Sequence, residues 1–175
     1  NGSYLLSEDF PDSVGKLHAF YGNFGVMIKA YSYILSMGAE LKKVSQLAVL
    51  NANYVKENLK GVLHLPYDRP CMHECVFSDK SLQSENVKTL DLAKRLIDYG
   101  FHPPTIYFPL VVHGAIMIEP PENESKETLD LFIDTIKTIV KEARENPVLL
   151  HNAPQNPKVR RLDETTAARH PCLRG

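Results

Sequence analysis

The chain has 175 residues, of which 43% are hydrophobic and 23% charged, and its formal net charge at pH 7 is −1. This length and composition predict one globular domain with a real core, or one domain plus an extension. The balanced charge offers no footprint for nucleic acid, and no apolar run approaches the roughly 20 residues that a membrane helix needs. Three cysteines, an odd number, argue against a disulfide framework.

The N-terminal part is predicted to be an irregular lead-in over residues 1–25, followed by linking helices over residues 26–60. The apolar run Val26–Met37 is typical of a mostly buried helix that stops at Gly38. A second helix is predicted over Glu40–Leu59, because its apolar positions broadly follow a 3.6-residue period.

Gly22 and Asn23 stand directly before the first of these helices. Small residues and an asparagine at a helix start can present N–H groups to an anion such as a cofactor phosphate. Ordinary N-capping by the Asn23 side chain is the alternative, and the sequence favours neither.

Residues 61–146 are predicted to form a compact α/β unit with the element order β-β-α-β-β-α. The expected strands are Val62–Leu65, Met72–Ser78, Ile106–Phe108 and Ala115–Ile118, and the expected helices are Val87–Tyr99 and the stretch from Ser125 to Asn146. The second helix carries one apolar stripe, with Ser125 as its N-cap. The polar stretch Asp79–Asn86 is predicted to be a loop. From Pro147, four prolines and no long period predict an extended arm over residues 147–175, ordered only if it lies on another surface.

The stretch from Tyr99 to Pro120 carries the most informative pattern. Gly100 stops a helix, and Pro103 and Pro104 stiffen the turn directly after His102. A histidine held in this way can hydrogen-bond a substrate carboxylate or a thiol, and it can change its charge near neutral pH. The alternative is a ring that caps the helix ending at Gly100. Glu119, at the end of a strand, is expected to face solvent.

His73 and Glu74 are predicted to lie on a strand, so that their side chains face opposite ways, with Glu74 paired to Arg69. The spacing of Cys71, His73 and Cys75 would put all three on one strand face. A zinc site usually has tighter cysteine spacing and needs a fourth ligand, so no metal site is predicted. In the arm, Arg160 and Arg161 could form an ion-paired clasp with Asp163 and Glu164, which a position in a long tail favours. Alternatively, one arginine such as Arg161 holds a substrate carboxylate in a bidentate pair.

Five segments, in this order, resemble the glycine cleavage P-protein, the pyridoxal-phosphate-dependent glycine dehydrogenase (decarboxylating). They are Phe20–Gly25 (FYGNFG), Ala48–Tyr54 (AVLNANY), Pro66–Glu74 (PYDRPCMHE), Tyr99–Pro109 (YGFHPPTIYFP) and Arg160–Arg169 (RRLDETTAAR). Five ordered matches are specific, whereas any one of them would be weak. The sequences of these segments are most similar to the C-terminal portion of subunit 2 in the split, two-subunit bacterial form.

The resemblance implies a fold, a cofactor and partners. The fold would be the small C-terminal domain of a fold-type-I pyridoxal-phosphate transferase. The complete bacterial, cytoplasmic protein would decarboxylate glycine with pyridoxal phosphate and pass the aminomethyl group to the lipoyl arm of the H-protein. It would work with subunit 1, or with an N-terminal half, as a dimer or heterotetramer.

Residue chemistry and the resemblance together suggest site residues in this chain. The candidate catalytic residues are His102 and His73, the cofactor-binding residues Asn23 and Gly22, and the substrate-binding residues Thr105 and Arg161. The family's cofactor lysine follows a histidine, and this chain has no His-Lys pair. The chain alone is therefore expected to be inactive. The alternative is a non-catalytic, stand-alone domain that binds a partner subunit or the lipoyl carrier protein.

Overall fold

The computed structural model describes residues 2–5, 7, 10–16 and 21–174. The chain divides into two compact units, residues 1–41 and residues 42–175. Among the described helices, none is long and apolar enough to cross a membrane.

The first unit contains helix α1, Phe24–Met37, close to the predicted bounds. The Asn23 side chain caps its start, and Gly38, with φ of 50°, follows its end. The prediction that this helix is mostly buried is wrong for the chain as it stands, since no residue of α1 is buried. The apolar pattern shows that the helix needs cover on several sides, but it does not identify what supplies that cover.

Helix α2, Leu41–Leu59, starts at the last residue of the first unit and otherwise belongs to the second unit, and it confirms the second predicted helix. A short 3-10 turn over Gly38–Glu40 precedes it. Ala52, Val55 and Leu59 point into the core and are fully buried. Val55 and Leu59 belong to one hydrophobic core cluster with Phe77, Ile116 and Ile136.

The sheet has three antiparallel strands in the order β1–β3–β2: β1 is Cys75–Ser78, β2 is Thr105–Ile106 and β3 is Ala115–Ile118. Cys75 pairs with Ile118, and Thr105 pairs with Met117. The mixed α/β class is therefore confirmed, but the four-strand order is wrong. Val62–Leu65 is not a strand; only isolated bridges form there, Lys60 to Leu63 and His64 to Ser78.

That missing strand has a local cause. His64 interrupts the apolar pattern, and Pro66, which has no N–H to give to a ladder, ends the stretch. The stretch predicted as a polar loop is also different, because Asp79–Glu85 forms a 3-10 helix in which Asp79 and Leu82 are buried.

Two long helices pack on the sheet. Helix α3, Thr89–Asp98, and helix α4, Lys126–Glu145, confirm the predicted helices, and Ser125 caps α4 by accepting a hydrogen bond from the Thr128 N–H. The apolar stripe of α4 is buried, with Ile136 and Ile139 completely enclosed. The Arg95 guanidinium ties α3 to α4 through two hydrogen bonds to Glu142, of 2.8 and 2.9 Å.

The C-terminal arm is not uniformly extended as predicted. It contains two short helices, α5 over Pro147–His151 and α6 over Glu164–Arg169. Helix α5 packs on α3 and α4, and Leu150 and Ala153 are fully buried. A five-residue helix is too short to show a period in the sequence, which explains the error.

Candidate functional site

A pocket of about 420 Å³ opens between α2, the lead-in to β2, the end of β3 and the start of α4. Apolar side chains form most of its lining, together with a few polar groups, and this is the usual composition of a ligand site. The walls come from Val55, Phe101, Pro103, Pro104, Met117, Ile118, Pro120, Pro121, Leu129 and Phe132, and the polar side chains are His102, Thr105, Glu119, Glu124 and Thr128. We call this cavity the central pocket.

His102 reaches the central pocket because the chain leaves α3 in a fixed geometry. Gly100 has φ of 83°, and the N–H groups of Tyr99, Gly100 and Phe101 close the end of α3 by bonding to Leu96 and Ile97 carbonyls. The backbone therefore caps the helix, and the capping role considered for the His102 ring is not needed. The ring is exposed at the pocket, and among the described residues it has no hydrogen-bond partner.

Phe101 and Thr105 flank this histidine on the two sides of the proline pair. The Phe101 ring meets Phe132 of α4 edge to face, with centroids 5.3 Å apart. Thr105 starts β2, pairs with Met117 and exposes its hydroxyl at the pocket. The Phe101–Phe132 ring contact and the Thr105–Met117 strand pairing hold this turn between α4 and β3. His102 and Thr105, both predicted site residues, therefore lie in one cavity.

Glu119 brings a carboxylate to the same pocket from the end of β3. Its Oε1 lies 3.4 Å from His73 Nε2, and the Glu74 carboxylate lies 3.9 Å from the same nitrogen. His73 does not line the central pocket itself; among the described residues it reaches the pocket through Glu119. His73 and Glu74 lie in a bend before β1 rather than on the strand, and Glu74 pairs with His73 instead of Arg69, whose guanidinium lies over Tyr67.

His73, Glu74 and Glu119 also form the one group, within the described ranges, whose ligand atoms could hold a metal ion, all within 4.8 Å of one another. The set differs from the cysteine set considered from the sequence. Cys71 and Cys75 are free thiols, and burial raises the pKa of Cys75 to about 12, which disfavours the thiolate that a metal would need.

Arg161 is engaged elsewhere in the second unit. Its guanidinium bonds to the Asp91 carboxylate at 2.7 Å and to the Ala153 and Leu150 carbonyls at 2.7 and 2.9 Å. The bond to Asp91 fastens the C-terminal arm to α3. It differs from the clasp considered from the sequence, in which Arg160 and Arg161 pair with Asp163 and Glu164. The substrate-binding role of Arg161 stays a prediction.

Gly22 and Asn23 lie in the first unit, at the N-terminus of α1. Gly22 has φ of 111°, and Asn23 Oδ1 accepts a hydrogen bond of 3.2 Å from the Val26 N–H. This is the capping that the sequence offered as one alternative. The bond occupies the Asn23 oxygen and leaves its amide N–H₂ available, so a phosphate contact here stays a prediction.

Glu119 faces solvent, as expected, with 58% of its side chain exposed, and it also borders the central pocket. The sequence did not predict its place at the pocket. The signal was a repeated pattern: His102 and Glu119 each stand directly before a proline pair, and both side chains reach the central pocket. Glu124, Thr128 and Phe132 were also missed as site residues, because their convergence depends on where α4 docks.

Comparisons with known proteins agree with the quoted motifs. Residues 44–158 match the family model described as "Glycine dehydrogenase, C-terminal domain". A probable glycine dehydrogenase (decarboxylating) subunit 2 from Caldanaerobacter subterraneus subsp. tengcongensis is 63% identical over 175 residues, which is 99% of this chain. Proteins of the same name from Oceanobacillus iheyensis and Listeria welshimeri are 55% and 53% identical over 99% and 98% of the chain. The chain spans 36% of the length of each of these three relatives.

Proposed function

The chain belongs to the family of C-terminal domains of glycine dehydrogenase (decarboxylating) subunit 2, and we propose that it forms one wall of the reaction cleft in a longer polypeptide. The whole protein would decarboxylate glycine and transfer the aminomethyl group to the lipoyl arm of the H-protein. The observation that carries this proposal is the central pocket, where His102, Thr105 and Glu119 converge on an apolar cavity.

The cofactor of the complete protein would be pyridoxal phosphate, which supplies the electron sink for loss of the glycine carboxylate. Two places in this chain are candidates for contact with the cofactor phosphate. The central pocket does not suit a phosphate, because its ionisable lining groups are two carboxylates and one imidazole. The start of α1 suits it better, since Gly22 and Asn23 precede a 14-residue helix whose N-terminus favours an anion.

In this proposal His102 orients the lipoyl arm of the H-protein. Its imidazole is exposed at the pocket with free hydrogen-bonding capacity, so it can donate to a thiolate or a carbonyl and can deliver a proton there. The Thr105 hydroxyl supplies a second polar contact on the same side. His73, which does not line the pocket, acts through Glu119 as a positioning residue.

The partners follow from the same proposal. The relatives carry the name subunit 2, which supports a subunit 1 partner for the complete protein. Helix α1 exposes eight large apolar side chains, so a partner surface or the remaining part of the polypeptide is expected to cover it. The eight residues are Phe24, Val26, Met27, Ile28, Tyr31, Tyr33, Ile34 and Leu35.

An absorbance titration with pyridoxal phosphate tests the proposal. The 175-residue chain is expected to give no Schiff-base band beyond that of surface lysines, whereas the longer polypeptide is expected to give a saturable, stoichiometric band and to release CO₂ from glycine. A saturable band on the chain alone that maps to one lysine would contradict the proposal. A longer polypeptide that binds its partner but never decarboxylates glycine would favour the stand-alone binding domain instead.

A further inference from the structure

The charged side chains that line the central pocket are acidic. Glu119 and Glu124 line it, and neither lysine nor arginine does so within the part of the chain that the structure describes. Glu124 is half-buried and makes no ion pair with a described residue. A carboxylate or phosphate entering this cavity would meet two like charges, which is unfavourable at short distance. The basic groups beside them are imidazoles: His102 in the lining, and His73, whose Nε2 lies 3.4 Å from Glu119.

Glu119 is the better placed of the two carboxylates to meet a ligand. Two prolines follow it, and the Asn51 side chain of α2 donates a 2.9 Å hydrogen bond to the Pro121 carbonyl, which fixes this segment. On the other side, Glu119 follows Ile118, which pairs with Cys75, and the His73 Nε2 lies 3.4 Å from Glu119 and 3.9 Å from Glu74. Two carboxylates that share one neighbouring group favour a positively charged partner, so this edge of the pocket favours a cation.

The apolar walls define the rest of the ligand. Phe101 and Phe132 form one side, and Met117 and Leu129 extend it toward the core. A cavity of about 420 Å³ with such walls suits a flexible aliphatic arm. Its polar rim carries hydroxyl, imidazole and carboxylate groups, all of which accept hydrogen bonds from an ammonium group.

We propose that the central pocket recognises a primary ammonium group carried on an apolar arm, with Glu119 as the ammonium acceptor, and that it discriminates against carboxylates. The inference rests on the proposed function for the identity of the natural ligand. Loss of CO₂ from glycine and transfer of the remaining carbon produce an arm that ends in an amine, whereas glycine itself carries a carboxylate. Glycine carries an ammonium group as well, but its carboxylate would meet the two glutamates, so the pocket favours the product-like arm over the free amino acid.

The test measures binding of three probes of equal length to the 175-residue chain at pH 8 by NMR titration. The probes are pentylamine, pentan-1-ol and pentanoate. A partly exposed ion pair contributes up to about 1 kcal/mol, so pentylamine is expected to bind about fivefold more tightly than pentan-1-ol. Pentanoate is expected to bind more weakly than the alcohol, and the shifted resonances should be those of the pocket walls.

Variants assign the preference to its residue. Glu119→Gln is expected to bring pentylamine and pentan-1-ol to equal affinity, while Glu145→Gln, which changes an exposed carboxylate at the far end of α4, should leave the preference intact. Pentanoate binding as tightly as pentylamine, no binding of any probe, or an amine preference that survives in Glu119→Gln would each overturn the inference. These results leave the proposed function untouched, because that function is tested by cofactor binding and CO₂ release in the longer polypeptide.

Discussion

Replacing Gly114 with alanine is expected to destabilise the second unit by about 2–5 kcal/mol. Gly114 has φ of 63°, and this left-handed conformation costs an L-residue roughly 1–2 kcal/mol. A Cβ at this position would lie 2.0 Å from Asp79 Oδ1 and 2.5 Å from Asp79 Cγ. Relieving such an overlap in a packed site typically costs about 1–3 kcal/mol more.

Asp79 cannot simply move aside. Its Oδ2 accepts hydrogen bonds from the Thr89 N–H at 3.1 Å and from the Thr89 hydroxyl at 3.0 Å, and the residue is only 6% exposed. Displacing the carboxylate would therefore break the contact between the 3-10 helix and the start of α3. The clash would damage one of the links that hold the β2–β3 loop against the core.

Urea unfolding followed by circular dichroism measures the effect, with Gly61→Ala as the matched control. Gly61 has φ of 82° but nothing within 4 Å of the added methyl group, so it should cost only the conformational part, about 1–2 kcal/mol. In an Asp79→Ala background, Gly114→Ala should cost no more than this control. Equal costs for the two glycines in the parent chain, or an undiminished cost without the Asp79 carboxylate, would refute the reasoning.

Two further predictions concern α4. Ile133→Asp should unfold the second unit, because this side chain is 2% exposed and an unpaired buried carboxylate costs several kcal/mol, comparable with the stability of a whole domain. The control Leu131→Asp, at a 62% exposed position, should leave thermal unfolding nearly unchanged. Similar melting temperatures for the two variants would contradict the assignment of Ile133 to the core. The hydrogen bond from Arg95 lowers the pKa of Glu142 from its usual 4.5, so the stability that this pair contributes is present above pH 4.5 and is lost as pH falls through the lowered folded pKa. Glu142→Gln should therefore lose less stability between pH 6 and pH 3 in urea unfolding, and an unchanged pH slope would exclude this linkage.

Local sequence signals predicted helices α1 to α4 well, whereas the short helices α5 and α6 were missed. Helix α4 is the clearest case, because its N-cap Ser125 and its stripe through Ile133 and Ile136 are both local patterns. Helix α3 and the stop at Gly100 were predicted for the same reason. Such elements need only a period, a cap and a stop signal, all of which are visible in a single chain.

The errors fall where long-range contacts decide the structure. The 3-10 helix at Asp79 was predicted to be a loop, because its polar residues look solvated until Gly114, 35 positions further on, is brought against Asp79. In the same way, Glu119 becomes part of a pocket only when β3 lies beside β2 and α4 docks over both. Sequence spacing alone does not show that His102 and Glu119 end in one cavity.

The central claim, that His102 in the central pocket serves the reaction, is tested most directly by His102→Ala in the longer polypeptide. Glycine decarboxylation and thermal stability are measured on the same variant, with His113→Ala, an exposed histidine that does not line this pocket, as the control. Turnover should fall roughly ten- to a thousandfold for His102→Ala, as loss of one polar active-site contact typically does, with little change in melting temperature. Near-normal turnover for His102→Ala, or an equal loss for His113→Ala, would contradict the account.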